Sequence, residues 1–137
     1  MSSPAARFYD DGLVYAKHAD IQPGQSDVYL GWLIIEPLRA DVFGLEGLTE
    51  EEAAALGRMV RRLAGALKAV LDAEHVYLFV MGHHQPTLHV HLVPRYPGAP
   101  REYWGMRVDE WPEAPRGGPQ EAASVCARLR DYLISER

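Results

Sequence analysis

The chain has 137 residues, 47% hydrophobic and 24% charged, which fits one globular domain able to bury a core without disulfide or metal staples. Its formal net charge of −5 argues against a general nucleic-acid-binding surface, and no apolar run approaches the roughly 18 residues that suggest a membrane span. The single cysteine, Cys126, excludes an internal disulfide, and the N-terminus MSSPAARFYDD lacks the apolar core of a signal peptide. The expectation is a soluble cytoplasmic protein.

Residues 13–19, LVYAKHA, follow a YDDG turn and read as a strand. DIQPGQSD is a loop by composition, and VYLGWLIIEP, rich in aromatic and β-branched residues, reads as a second strand stopping at Pro37. The segment from Gly47 to His75 is the clearest helix: Thr49 and Glu52 form a capping-box pattern, and Leu56, Val60, Leu63, Leu67 and Val70 recur at helical spacing. Residues 75–81, HVYLFVM, are nearly all apolar and predict a central strand, joined through a turn at Gly82–Pro86 to a further strand as a hairpin. Residues 96–118 form a long Pro- and Gly-rich connection that can hide a short element such as MRVDEW. A final helix opens at Pro119, with Ala122, Cys126, Leu129 and Leu133 as its apolar stripe. Adjacent strands with short turns favour an antiparallel α+β sheet over a doubly wound parallel one.

The stretch PTLHVHLVPR, residues 86–95, carries the chemistry. Strand side chains alternate between faces, so Leu88, Val90 and Leu92 face the core while Thr87, His89, His91 and Val93 share the other side. At ~3.3 Å per residue the two imidazoles stand about 6.6 Å apart along the strand, close enough to reach one small anionic group. A neutral imidazole can attack an electrophile, an imidazolium can stabilise negative charge or protonate a leaving group, and either ring can hold a metal.

HVHLVPR resembles the motif of the histidine triad superfamily, His-x-His-x-His followed by two apolar residues, which many members continue with Pro-Arg as Pro94 and Arg95 do here. FYDDGLVYAKH resembles that family's opening strands, and GWLIIEPLRADVFGLEGLTEEEAAAL its central strand, Pro-containing loop and long helix with an acidic start. The resemblance implies an α+β, HIT-like fold over residues 1–137 as a single domain: an antiparallel sheet of about five strands, one long central helix and a C-terminal helix. It also implies a nucleotide substrate such as a dinucleoside polyphosphate or nucleoside phosphoramidate. His89 would attack the α-phosphorus and become transiently nucleotidylated, with His91 close to the α-phosphate and leaving group and water then cleaving the labile P–N bond. The scheme needs no metal or other cofactor and the resemblance implies a two-fold homodimer, while the net charge and the lack of a long apolar run speak against nucleic-acid and membrane partners.

The chain departs from the family pattern at several places. Thr87 stands at the first triad position and can donate a hydrogen bond but carry no cationic proton. Val80 stands where the family often has a phosphate-contacting Asn, and the following glycine-rich loop is shortened to HHQP, where Gln85 aligns with a leaving-group Gln and His83 or His84 could replace the lost histidine. The ribose-binding position falls on His18 by unbroken strand register or on Asp20 by matching DI-x-P, and a carboxylate accepts two sugar hydroxyls well. Arg95, Arg101, Arg107 and Arg116, among Tyr103, Trp104 and Trp111, read mostly as surface or dimer contacts. Two other readings stay open: a catalytically weak nucleotide-binding protein, for which Thr87 and Val80 argue, and a metal protein using His84, His89 and His91. A cupin-type barrel is disfavoured by the helix from Thr49 and by Arg95, where such barrels carry Glu.

Overall fold

A computed structural model describes residues 7–82 and 86–136. In chain order the described strands and helices are β1 (Arg7–Asp10), β2 (Val14–His18), β3 (Val28–Tyr29), β4 (Leu33–Pro37), α1 (Glu50–Leu71), β5 (His75–Phe79), β6 (Val90–Arg95), β7 (Arg116–Gly117) and α2 (Pro119–Ser135). Five strands form one antiparallel sheet in the order β1-β2-β4-β6-β5, and β3 pairs with β7 in a small ribbon. The fold is the expected α+β arrangement of a five-stranded antiparallel sheet with a long helix and a C-terminal helix.

The pleat divides the sheet into two chemistries. Val14 and Ala16 of β2, Leu33 and Ile35 of β4, and Val90 and Leu92 of β6 share one face with Leu88 and pack against Ala55, Met59, Leu63, Ala66 and Leu67 of α1 and Val125, Leu129 and Leu133 of α2. The stripe that α1 buries is rotated slightly from the expected one: Leu56, Val60 and Val70 flank it, while Ala55, Met59 and Ala66 form its centre with Leu63 and Leu67. The capping box forms as expected: Glu52 N donates to Thr49 Oγ1 at 3.0 Å and Thr49 N donates to Glu52 Oε1 at 2.8 Å. Arg39, just past β4, pairs with the same Glu52 carboxylate at 2.8 Å and fixes the approach to α1. Pro119 occupies the first turn of α2, as its sequence suggests. Arg62 of α1 donates to the Tyr9 hydroxyl on β1 at 2.8 Å and to the Leu133 carbonyl near the end of α2 at 2.7 Å.

Three expectations are corrected. The single strand over 28–37 is broken by a tight turn at Gly31, whose φ of +87° lies in the left-handed region, so Val28–Tyr29 leaves the main sheet to pair with β7. The strand 75–79 is at the sheet edge, not its centre; an apolar run reports on packing of both faces and is blind to which strand lacks a second hydrogen-bonded neighbour. On it, Leu78 is 49% exposed, and Val80 just beyond is 40% exposed. MRVDEW adopts turn backbone, but Val108 and Trp111 within the 96–118 connection are buried with Tyr29, Val93 and Ala114, giving a second, smaller core on the opposite side of the sheet from α1. Among the described residues no helix is long and apolar enough to cross a membrane.

A Cβ built at Gly31 meets Leu71 Cδ1 at 2.8 Å and Pro94 Cγ at 2.9 Å, whereas one at Gly12 (φ +90°) meets nothing within 4 Å. Gly31→Ala is therefore expected to cost about 2–3 kcal/mol, from left-handed strain plus overpacking, and Gly12→Ala only about 1 kcal/mol from strain alone. Chemical denaturation of the two variants against the parent protein checks the difference.

Candidate functional site

On the face away from α1, Tyr15 and Lys17 of β2, Ile34 and Glu36 of β4, and His91 of β6 follow from the same alternation that buries Val14, Ala16, Leu33, Ile35, Val90 and Leu92. Pairing sets Tyr15 opposite Glu36, Lys17 opposite Ile34, and Ile34 opposite His91. A cavity of about 480 Å³ opens on this face, lined by Thr87, His89 and His91 together with Lys17, Asp20, Trp32 and Ile34. Its far wall comes from Tyr29, Asp109 and Arg116, contributed by the ribbon and the long connection.

His89 is held at both ring nitrogens. Nδ1 lies 2.8 Å from the Thr87 carbonyl oxygen, which can only accept, so Nδ1 carries a hydrogen. Nε2 lies 2.6 Å from Oε2 of Glu36. The Tyr15 hydroxyl donates to the other oxygen of the same carboxyl, and Lys17 Nζ is 3.6 Å from Oε2. Burial pushes the Glu36 carboxyl above its ordinary pKa, a shift opposed by the His89 charge and by Arg7. Burial likewise holds the Lys17 ammonium below its ordinary value, against the attraction of Asp20.

His91 is oriented differently. Trp32 Nε1 donates to its Nδ1 at 3.0 Å. An indole N–H only donates, so Nδ1 must be the bare nitrogen and the ring hydrogen sits on Nε2. Burial first, and the neighbouring His89 second, hold the His91 pKa below its ordinary value, which agrees with a ring kept neutral. Trp32 is itself braced by edge-on contact with Tyr29 at 6.2 Å between ring centroids.

The other expected residues divide. Asp20 and Thr87 line the cavity. His18 does not: it has the parity of Val14 and Ala16, so its ring turns away from Lys17 and the cavity. Its Nε2 accepts from Gly31 N at 2.9 Å and its Nδ1 is 2.9 Å from the Ala19 carbonyl, so both nitrogens serve the turn that breaks β3 from β4. The expectation of a ribose contact at His18 is replaced by this structural role. His83, His84 and Gln85 lie outside the described residues. Arg116 reaches the cavity wall and pairs with Asp27 at 3.0 Å. Arg95 and Arg101 instead flank the Trp104 ring, at 3.6 and 4.6 Å from its centroid. Glu36 and Trp32 went unnoticed in the sequence; the one available signal for Glu36 is a charge at the end of an otherwise apolar run, LIIE, in register with Ile34.

Neither a family model nor a curated protein matches the sequence. Solved structures do. A histidine triad (HIT) protein from Sinorhizobium meliloti 1021 is similar over 92% of this chain and 87% of its own, with 26% identity and a TM-score of 0.71. This chain belongs to the histidine triad superfamily. A histidine triad protein from Bradyrhizobium japonicum is similar at 24% identity, covering 93% of this chain and 89% of that one with a TM-score of 0.69. The Plasmodium falciparum diadenosine triphosphate hydrolase, solved with cyclomarin A, shares the fold at 11% identity, covering 98% and 80% of the two chains with a TM-score of 0.68. Against the histidine triad pattern, this member keeps the second and third imidazoles on one cavity, presents Thr87 at the first position, and sets a carboxyl against the second.

Burial lowers the His18 pKa in the folded chain. The unfolded chain then binds the extra proton below the ordinary imidazole pKa of about 6.5, so His18 makes stability fall as pH drops through that value. His18→Gln, which keeps an acceptor for Gly31 N, is expected to flatten the fall in unfolding free energy between about pH 6.5 and 5 by up to about 1.4 kcal/mol per pH unit. Urea titrations of both proteins across that range measure the slope.

Proposed function

We propose that this chain is a nucleotide hydrolase or nucleotidyltransferase that acts at the α-phosphate of a dinucleoside polyphosphate or nucleoside phosphoramidate, with His89 as nucleophile. The carrying observation is that His89 and His91 line one cavity beside Lys17 and Asp20, with the His89 ring fixed by the Thr87 carbonyl. Holding Nδ1–H on a carbonyl leaves the reacting lone pair to Nε2 alone and supports the positive charge that develops on the ring when an N–P bond forms. His91, with its hydrogen on Nε2, is suited to donate to a phosphoryl oxygen, and Lys17 adds positive charge on the same wall. Asp20 is the ribose-binding residue in this reading, since its carboxylate accepts paired hydroxyls. The hydrolase among the structural relatives acts on diadenosine triphosphate, which supports the substrate class.

The same reading takes residues 1–137 as a single domain, cytoplasmic, without a cofactor, acting on small molecules and not on nucleic acid or membranes. It includes a homodimer, supported by the open β5 edge and the exposed Leu78 and Val80 beside it. The second reading, nucleotide binding with little turnover, rests on Thr87 and Val80. A metal reading has less support. Its proposed third ligand, His84, lies outside the described residues, and both nitrogens of His89 already face oxygens.

Mixing the protein with diadenosine tetraphosphate and analysing it by intact-mass and peptide mass spectrometry is expected to show one nucleotide on His89. His89→Asn is expected to lose the adduct and at least about 10³-fold of turnover. Tight nucleotide binding with no adduct and no turnover in the parent protein selects the binding reading, and activity abolished by a chelator selects the metal one. Asp20→Asn is expected to raise KM about tenfold while changing kcat little, because a ribose contact binds ground and transition states alike. Steady-state kinetics on a competent substrate separate the two constants.

A further inference from the structure

The geometry points to Glu36 as the proton acceptor for the attacking nitrogen of His89, an inference that rests on the nucleotidyl-transfer reading. Nε2 of His89 and Oε2 of Glu36 are 2.6 Å apart. A bare nitrogen and a bare carboxylate oxygen repel at that distance, so one of the two atoms carries a proton, although Oε2 has no hydrogen-bond partner of regular geometry. Nδ1 already carries its own hydrogen toward the Thr87 carbonyl. The pair therefore holds one proton: either an imidazolium faces a carboxylate, or a neutral ring faces a carboxylic acid.

That proton blocks the reaction where it stands, because a protonated Nε2 has no lone pair to offer phosphorus. No other triad position can take it. Thr87 has no basic site, and the His91 nitrogen that could accept is occupied by the Trp32 N–H. Glu36 can. Its side chain is only 12% exposed and it is tied by Tyr15, so it is already placed and largely shielded from water. Its pKa is raised by burial, which favours the protonated carboxyl that the transfer produces.

The step balances as follows. The proton passes from Nε2 to Oε2, leaving a neutral imidazole and a carboxylic acid. The Nε2 lone pair forms the bond to the α-phosphorus as the carboxyl gives up its contact, and the bond to the leaving phosphate breaks with its electron pair going to that group. When water then attacks the phosphorus, the N–P pair of electrons returns to Nε2, which recovers the proton from Glu36. The hydroxyl of water joins the nucleotide, and its other hydrogen leaves to bulk water.

The consequence is a displaced acid limb. Around the pair stand Tyr15 and Lys17 from β2, Arg7 from β1, and His91 from β6. Of these, His91 is kept neutral by the Trp32 N–H on its Nδ1. With Glu36 present, the singly protonated pair is the active form, and activity falls only when a second proton binds to it. With Glu36→Gln, a free Nε2 requires His89 to lose its proton to water, so the acid limb moves to higher pH.

The test is the single-turnover rate of nucleotide attachment to His89 from diadenosine tetraphosphate, followed by mass spectrometry from about pH 5 to 8.5. The ratio of the rate near pH 8 to that near pH 5.5 is expected to be at least about tenfold larger in Glu36→Gln than in the parent protein. Glu36→Ala makes the same comparison without an amide that could cap Nε2. A profile for either folded variant that superposes on the parent's overturns the role of Glu36. In parallel, ¹⁵N NMR of the imidazole without substrate is expected to show a different signal for His89 Nε2 in Glu36→Gln and in the parent across that pH range; identical spectra also overturn it. Failure of the parent protein to form any adduct overturns nucleotidyl transfer instead, and the NMR comparison separates the two failures.

Discussion

A slip of one residue between β4 and β6 would dismantle both halves of this protein at once. The pairing of Leu33 with Leu92 and of Ile35 with Val90 packs four apolar side chains under α1, and the intervening pair, Ile34 with His91, is thereby turned to the other side. The same parity carries Glu36 to the side of His89 and Tyr15 to the side of Glu36. Hydrophobic burial under the long helix is thus what aims the imidazoles, and no separate device is needed to hold the reactive face open. Burying such side chains is worth about 1.5–3 kcal/mol each, far more than the hydrogen bonds of the site could supply against it.

The cavity exists because something stands opposite the sheet. The long connection between β6 and α2 folds over that face through Val108, Trp111 and Ala114, which pack on Tyr29 and Val93. Tyr29 donates from its hydroxyl to the Pro94 carbonyl at 2.6 Å, and burial raises its pKa well beyond the ordinary phenol range, so it remains a neutral donor. The ribbon of β3 and β7 ties the two ends of this cover together. One wall of the cavity is rigid sheet and the other is a loop with its own small core, a division that suits a fixed reacting centre beside a variable leaving-group contour.

Much of this was legible in the sequence because the relevant forces are local. The Thr49–Glu52 box and Pro119 announce helix starts within a single turn, and the alternation over 87–93 assigns faces without knowledge of any partner strand. What escaped was long-range. Nothing near residue 75 tells whether its strand has one neighbour or two, so β5 read as central. The break at Gly31 is a matter of a positive φ and of Leu71 and Pro94 crowding from afar. The ribose position stays open between His18 and Asp20 in the sequence because register and motif spacing disagree by two positions there, and the hydrogen bond from Gly31 N to His18 Nε2 is a contact no local pattern announces. Glu36 and His89 lie 53 positions apart, on strands whose order no local pattern reveals; the resemblance to a family draws attention to the histidines and away from a carboxyl that the motif does not contain.

The guanidinium of Arg62 binds the first strand and the last helix through one side chain, with Tyr9 on one arm and the Leu133 carbonyl on the other. The two ends of the polypeptide are consequently not independent appendages. Trimming the final turn of α2 would strip a charged group of an acceptor in a half-buried setting and loosen the edge of the sheet more than 120 positions away, so a tag or truncation at one terminus would be felt at the other.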